Sequence, residues 1–479
     1  MNLDNSCETG VMRDAYTGYN LGSAHAISEV LAVVCALFVS LAVQSQSREL
    51  GVLCSRFLYS ASVIRSYRYI LLATITSRVE LPYKARKMRI LECIEKNGNG
   101  NYLLYKTKKV SLDINDNDTI NYDDKSVSKS LKGDFAETDK RRVKTIQIPM
   151  DLILHVSPIF SYFLDGSRHI YKVDDISIGG KIFPFMAGQI IVGCCERRNR
   201  DDFKKADLFR SIVLSLPDEF DTENDTIAAQ ENFCRFFCDS INESLSSLKY
   251  VAENNIKVDK ILLYKTDGKE STESDKDFYK NRGTSKIQVE MTDAEQAMVA
   301  KLCKNNKLDD EHYLIKDGSI EYAPNSSHSS HQQSLVVSNY KHVVGVSKLF
   351  NPELLPDYEG KRLSQTIANL KPFERTKVYR YPSSVTQQEY GVWYLRLRKD
   401  YPRETNYSDV VKCEMLIPSE GGCLDSDLVD VISANLINEA YPVCYGQDTR
   451  WANHLYPVYL TETFCKSNYI DSNIFINLF

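Results

Sequence analysis

Two strand-like runs joined by a glycine turn constrain this chain more than any other feature. The segments SYFLDGSRHIYKV (161–173) and KIFPFMAGQIIVGCC (181–195) flank a loop containing Gly179-Gly180, which reads as an antiparallel hairpin. LFRSIVLSL (208–216) follows as a third strand, and Asp225 to Val251 has helical spacing. KILLYK (260–265) is strand-like, a polar charged loop runs through Lys286, and Thr292 to Lys304 reads as a short helix. HYLIKDGSI (312–320) is then another strand. Hairpin, third strand, helix and strand in that order predict an α/β or α+β arrangement with a mixed sheet. After the loop material of Ser326 to Ser334 come strands at HVVGVSK (342–348), GVWYLRLR (391–398) and VVKCEML (410–416). Helices are expected near 425–440 and 449–466.

The N-terminal part has a different texture. Residues 24–95 show helical periodicity, and Asn97-Gly98-Asn99-Gly100 marks a turn. From about Lys106 to Lys144 the chain is dominated by Lys, Asp, Asn, Ser and Thr, the composition of a solvated loop or partly disordered insertion. The apolar pattern returns at Ile146, so the expected division is a mainly helical region 1–145 and a core domain 146–479. The apolar stretch Leu31 to Val43 is shorter than the ~20 residues that span a bilayer, and is expected as a buried helix or oligomer contact. It also begins too late for a signal peptide, so no membrane attachment is expected.

Composition narrows the function classes. With 43% hydrophobic and 26% charged residues, wholesale disorder, collagen and a bare coiled coil are excluded. Lys+Arg 59 against Asp+Glu 64 leaves −5, so a nucleic-acid partner needs a local basic groove. Thirteen cysteines in 479 residues are too sparse and irregular for a disulfide scaffold and suit a reducing cytosol. Cys234 and Cys238 would share a helix face, but no second close Cys or His pair completes a zinc site. No GxxxxGK[ST] occurs, so any motor must act in trans.

The chemistry concentrates in two similar segments, Phe163-Leu164-Asp165-Gly166-Ser167 and Leu314-Ile315-Lys316-Asp317-Gly318-Ser319. Each reads as a hydrophobic strand ending on Asp-Gly-Ser, where the carboxylate meets solvent and the glycine lets the backbone turn or a phosphate approach. Two strands delivering one carboxylate each to the same end of a sheet build an oxygen-rich pocket for Mn²⁺ or Mg²⁺. The competing reading is that Asp-Gly simply makes turns.

LDGSRHIYKVDDI…IFPFMAGQIIVGCCER, YLIKDGSIEY, the VVGVSK run and RWANHLYPVYL together resemble the NurA-type DNA nucleases, over about residues 155–479. The resemblance implies a ribonuclease H-like mixed sheet core flanked by helices, and a DNA nuclease of end processing or anti-phage defence. It implies a homodimer in the cytoplasm, working with a HerA-type hexameric ATPase. It also implies a metal site built from Asp165, a helix-borne Glu, Asp317 and His454. Glu295 fits the helix position, with Glu290 and Glu231 as substitutes, although Thr292-Asp293-Ala294-Glu295 is also a capping box. His454 is alternatively a capping or core histidine. With two divalent ions, Asp165 would bridge, Asp317 and Glu295 would complete the shells, and His454 would bind the second ion or protonate the leaving oxygen.

DNA contacts are expected from Arg168, directly after the first Asp-Gly-Ser, and from Lys348 in the VVGVSK run. Arg197 and Arg198 are further candidates, with a solvated turn as the alternative. Tyr379, Tyr381, Trp393 and Tyr394 stack on bases or pack within strands. Rival readings are a Piwi-type nuclease, which also closes with a C-terminal His, and a non-catalytic adaptor that binds DNA ends or an ATPase.

Overall fold

The computed structural model describes residues 89–112, 132–141, 143–199, 201–221, 224, 226–267, 277–321, 338–351, 357–358, 361–383, 386, 388–399, 405–418, 421–444 and 451–479. The chain divides into two compact units, Met1–Arg86 and Lys87–Phe479, and all of these residues lie in the second. The apolar stretch 31–43 and the periodic segment before residue 89 lie outside the described residues, as do all of 326–334 and about half of the charged loop.

The organising element is one mixed sheet. Its strands are β1 (Tyr102–Tyr105), β2 (Val110–Ser111), β3 (Lys132–Phe135), β4 (Thr145–Gln147), β5 (Phe160–Ile178), β6 (Lys181–Asn199) and β7 (Asp202–Pro217). They continue as β8 (Lys260–Tyr264), β9 (Tyr313–Asp317), β10 (Val343–Ser347), β11 (Glu374–Thr376), β12 (Tyr379–Pro382), β13 (Glu389–Arg396) and β14 (Val410–Leu416). The main order is β3-β12-β13-β14-β10-β9-β5-β6-β7-β8, with β9 parallel to both β5 and β10, and β7 parallel to β8. The glycine turn closes a hairpin of two 19-residue strands, whose apolar residues bury against helices on both faces.

Six helices pack on the sheet: α1 (Ile90–Asn97), α2 (Ile227–Ser246), α3 (Phe278–Lys304), α4 (Ser426–Glu439), α5 (Tyr456–Lys466) and α6 (Ser472–Ile476). Strand alternation sends neighbouring residues to opposite layers. Leu164, Leu314 and Val343 join the core containing Met291, Met298 and Val299 of α3. Phe163, Ile315, Val344 and Val346 join the core containing Val429 and Ile432 of α4 and Val458 of α5. Farther along the hairpin, Tyr171, Phe183 and Phe185 pack with α1, α2 and α6. The architecture is therefore mixed α/β, a large sheet flanked by helices.

Two expectations change. The helix placed at Thr292 begins at Phe278. Its first half is polar, but Gly283, Ile287 and Met291 recur at helical spacing and are buried, so packing overrides weak local propensity. Thr292 is thus a mid-helix residue donating to the Gln288 carbonyl at 3.1 Å, and the capping-box reading of Glu295 falls away. The segment before residue 145 also contributes to the sheet: β1 and β2 pair with β5 and β3 with β12, and β4, which starts at Thr145, pairs with β11. No helix among the described residues is long and apolar enough to cross a membrane.

Candidate active site

Asp165 and Asp317 come together through strand register. Leu164 pairs with Lys316 across the parallel β5–β9 ladder, so Asp165 and Asp317 follow on adjacent strands and turn to the same face, that of α5. The two Asp-Gly-Ser segments are not equivalent, however. Gly318 has φ +82° and ends β9 in the left-handed region, as expected. Asp165 instead lies within β5, which continues to Ile178, so the first Asp-Gly-Ser ends no strand. Gly166 has another use there. It faces α3, and a Cβ at this position would overlap the Glu295 carboxylate.

Lys348, one residue beyond β10, joins Asp317 to α5. Its Nζ lies 2.8 Å from Asp317 Oδ2 and 3.0 Å from Glu462 Oε2, with the lysine side chain only 4% exposed. Glu462 also receives Lys466 Nζ on Oε1 at 2.7 Å, and His454 Nδ1 lies 3.9 Å from Oε2. Helix α5 is seated closely enough for the Cys465 thiol to donate to the Asp165 carbonyl at 3.5 Å. The Asn453 side-chain amide donates to the carbonyls of Lys348 (2.8 Å) and Val410 (2.7 Å), and Arg398 donates to those of Ala452 and His454. These bonds fix the turn that delivers α5.

Electrostatics single out Asp165. It is 6% exposed, and its Oδ2 is buried without a hydrogen-bond partner. Burial, then the Asp317 charge, pushes its carboxyl well above the ordinary range, against the pull of Lys348. Burial would lower the Lys348 ammonium, but Asp317 and Glu462 outweigh it and raise it. Glu462 is held down at about 2: burial works against ionisation and is overcome by Lys348 and Lys466.

The other expected residues fall elsewhere. Glu295 is buried on the α3 side, 3.1 Å from Lys316 Nζ, and burial raises its carboxyl despite that partner. It approaches Asp165 and Asp317 as a charge from the opposite layer. Glu290 pairs with Lys260 at 2.7 Å, and Glu231 is exposed on α2. Arg168 alternates to the side of Gly166 and Ile170. Arg197 is bound by Glu439 and donates to the Phe160 carbonyl at 2.9 Å, while the more exposed Arg198 pairs with Glu196. Both arginines follow Cys195, on the β6 stretch leading away from the Asp317 end of β9. Tyr379, Tyr381, Trp393 and Tyr394 are buried, so packing within strands accounts for them and base stacking does not.

Sequence reasoning missed Glu462. Its partner four residues on, Lys466, gives it the look of a surface ion pair. The available signal was its place eight residues after His454, on a helix otherwise short of acid.

The resemblance implies a divalent cation, and the donors fit one in kind: hard carboxylate oxygens, one of them buried and unpartnered. Among the described residues, no group of three or more His, Cys, Asp or Glu side chains is arranged to hold an ion. Asp165 and Asp317 are the residues that would hold it.

Fold and cluster together define a mixed α/β protein with a carboxylate–lysine site between its sheet and a late helix. No family model and no curated protein matches the chain. Among solved structures, the NurA nuclease from Sulfolobus solfataricus is similar at 12% identity, covering 68% of this chain and 84% of that one, with a TM-score of 0.34. At that score the functional reading has to stand on the side chains.

Proposed function

We propose that the chain is a divalent-cation-dependent DNA nuclease with a ribonuclease H-like core, hydrolysing phosphodiester bonds at Asp165 and Asp317. The observation that carries the reading is the buried, unpartnered Asp165 Oδ2 beside a second aspartate delivered by an adjacent parallel strand. An ionisable oxygen buried without a partner is costly unless a proton or a cation satisfies it. Mn²⁺ or Mg²⁺ held by these aspartates would supply charge neutralisation at phosphate and an activated water.

The chain's own groups have separate tasks. Asp165 and Asp317 would hold the cation. Lys348 presents a buried positive charge next to Asp317, suited to a phosphate oxygen. Glu462 anchors that ammonium, and His454 stands behind Glu462 as a proton donor or acceptor. DNA ends would be the substrate, a HerA-type hexameric ATPase would act in trans, and the chain would work as a cytoplasmic homodimer in repair or anti-phage defence.

One observation favours the adaptor reading. Lys348 already compensates Asp317 and Glu462, as it would in a chain that kept the fold and lost catalysis. Incubation of linear DNA with Mn²⁺ and the full chain, with and without the ATPase, separates the two. Chelator-sensitive cutting supports the nuclease; DNA or ATPase binding without cutting supports the adaptor.

A further inference from the structure

The charges of the site limit how many cations it takes. Asp165, Asp317 and Glu462 bring three carboxylates to the α5 side, and Lys348 returns one positive charge at 2.8 Å from Asp317 and 3.0 Å from Glu462. With Asp165 ionised, as a bound cation would require, two negative charges remain, the charge of one divalent ion. Glu295 reaches the cluster only as a charge from the other layer, where Lys316 pairs with it at 3.1 Å. Lys466, whose side chain is 57% exposed, meets the outer oxygen of Glu462 from the solvent side, where water screens its charge. A buried site strongly disfavours net charge, so a second divalent ion would leave an uncompensated excess.

The oxygens tell the same story. Both oxygens of Glu462 face lysines, and Oδ2 of Asp317 faces Lys348. Asp165 Oδ2 is buried and has no partner. Lys348 lies where an ion bridging Asp317 and Glu462 would have to lie. An ion held by only two carboxylates, with water and substrate oxygens completing its shell, is ordinary coordination for Mg²⁺.

We infer that the site takes a single divalent cation, held by Asp165 and Asp317, and that the Lys348 ammonium fills the place of a second. This replaces the two-ion arrangement expected from the sequence, and it rests on the metal-dependent reading of the cluster.

The test is binding, without DNA. The full chain is stripped with chelator and titrated with Mn²⁺, free ion being followed by electron paramagnetic resonance and heat by calorimetry. Wild type is expected to saturate at one ion per chain. Asp165→Asn and Asp317→Asn are each expected to weaken binding at least about tenfold, while Glu462→Gln leaves the count unchanged. Lys348→Met, which frees Asp317 and Glu462, is expected to take two. Saturation of wild type at two ions, no binding at all, or a folded Lys348→Met that still takes one overturns the inference. If Lys348→Met does not fold, the wild-type count decides alone. Cleavage is scored separately: one bound ion without cutting overturns the nuclease reading and leaves this inference standing, and two bound ions with cutting do the reverse.

Discussion

Asp165 is a carboxylate buried beside another carboxylate, with one oxygen unpartnered, and that has consequences for stability as well as for chemistry. Its carboxyl is raised, first by burial and then by Asp317, so the metal-free native state holds a proton that the unfolded chain releases. Stability is therefore fully present below the unfolded carboxylate range and falls as pH rises toward the raised value. Asp165→Asn removes this ionisation. It is expected to raise the unfolding midpoint of the metal-free protein at neutral pH while lowering DNA cleavage by about a hundredfold or more. A variant no more stable than wild type in thermal unfolding at pH 7 would contradict the account. Glu462 behaves in the opposite sense: held at about 2, its contribution is present above the unfolded carboxylate value and lost as pH falls through about 2. Asp165 and Asp317 were legible because an Asp-Gly-Ser after an apolar run is a local pattern. Glu462 was not, since its role depends on a lysine 114 residues earlier in the chain.

Helix α3 shows what local pattern leaves out. Its polar first half gave no start signal, and its true extent depends on Ile287 and Met291 packing against the sheet. The same helix carries Glu295 to Lys316 through space that Gly166 leaves empty. Removing one partner of a buried pair strands the other, so Glu295→Gln should destabilise by about 3–5 kcal/mol in denaturant unfolding. The double change Glu295→Gln with Lys316→Met should recover much of that loss, and strict additivity would show the pair is not coupled. Gly166→Ala pushes a methyl into the same carboxylate and should lose about 1–3 kcal/mol. The β5–β6 hairpin was visible because two apolar strands and Gly179-Gly180 are contiguous. The pairing of β5 with β9 was not, because nothing local brings Phe160 to Tyr313.

At the scale of the molecule, the sheet includes chain that composition set aside. Buried Glu137, between β3 and β4, meets Arg375 at 3.0 Å and Lys377 at 3.2 Å, and Arg375 also meets Asp430 of α4 at 2.6 Å. A chain cut to begin at residue 146 loses β1–β3 and the first residue of β4, and leaves Arg375 and Lys377 without Glu137. It is expected to be insoluble or to unfold non-cooperatively, whereas a chain beginning at residue 87 keeps the whole second unit and a cooperative transition. Circular dichroism melts of the two truncations check this. Charged and polar composition concealed the role of this segment because its short strands are stabilised by partners far along the chain.

The most direct test of the central claim is cleavage of linear DNA by the full chain in Mn²⁺, with wild type, Asp165→Asn and Asp317→Asn side by side and an EDTA control. The account predicts cutting by wild type alone, abolished by the chelator and by either substitution. Cutting that survives EDTA and both substitutions would contradict it.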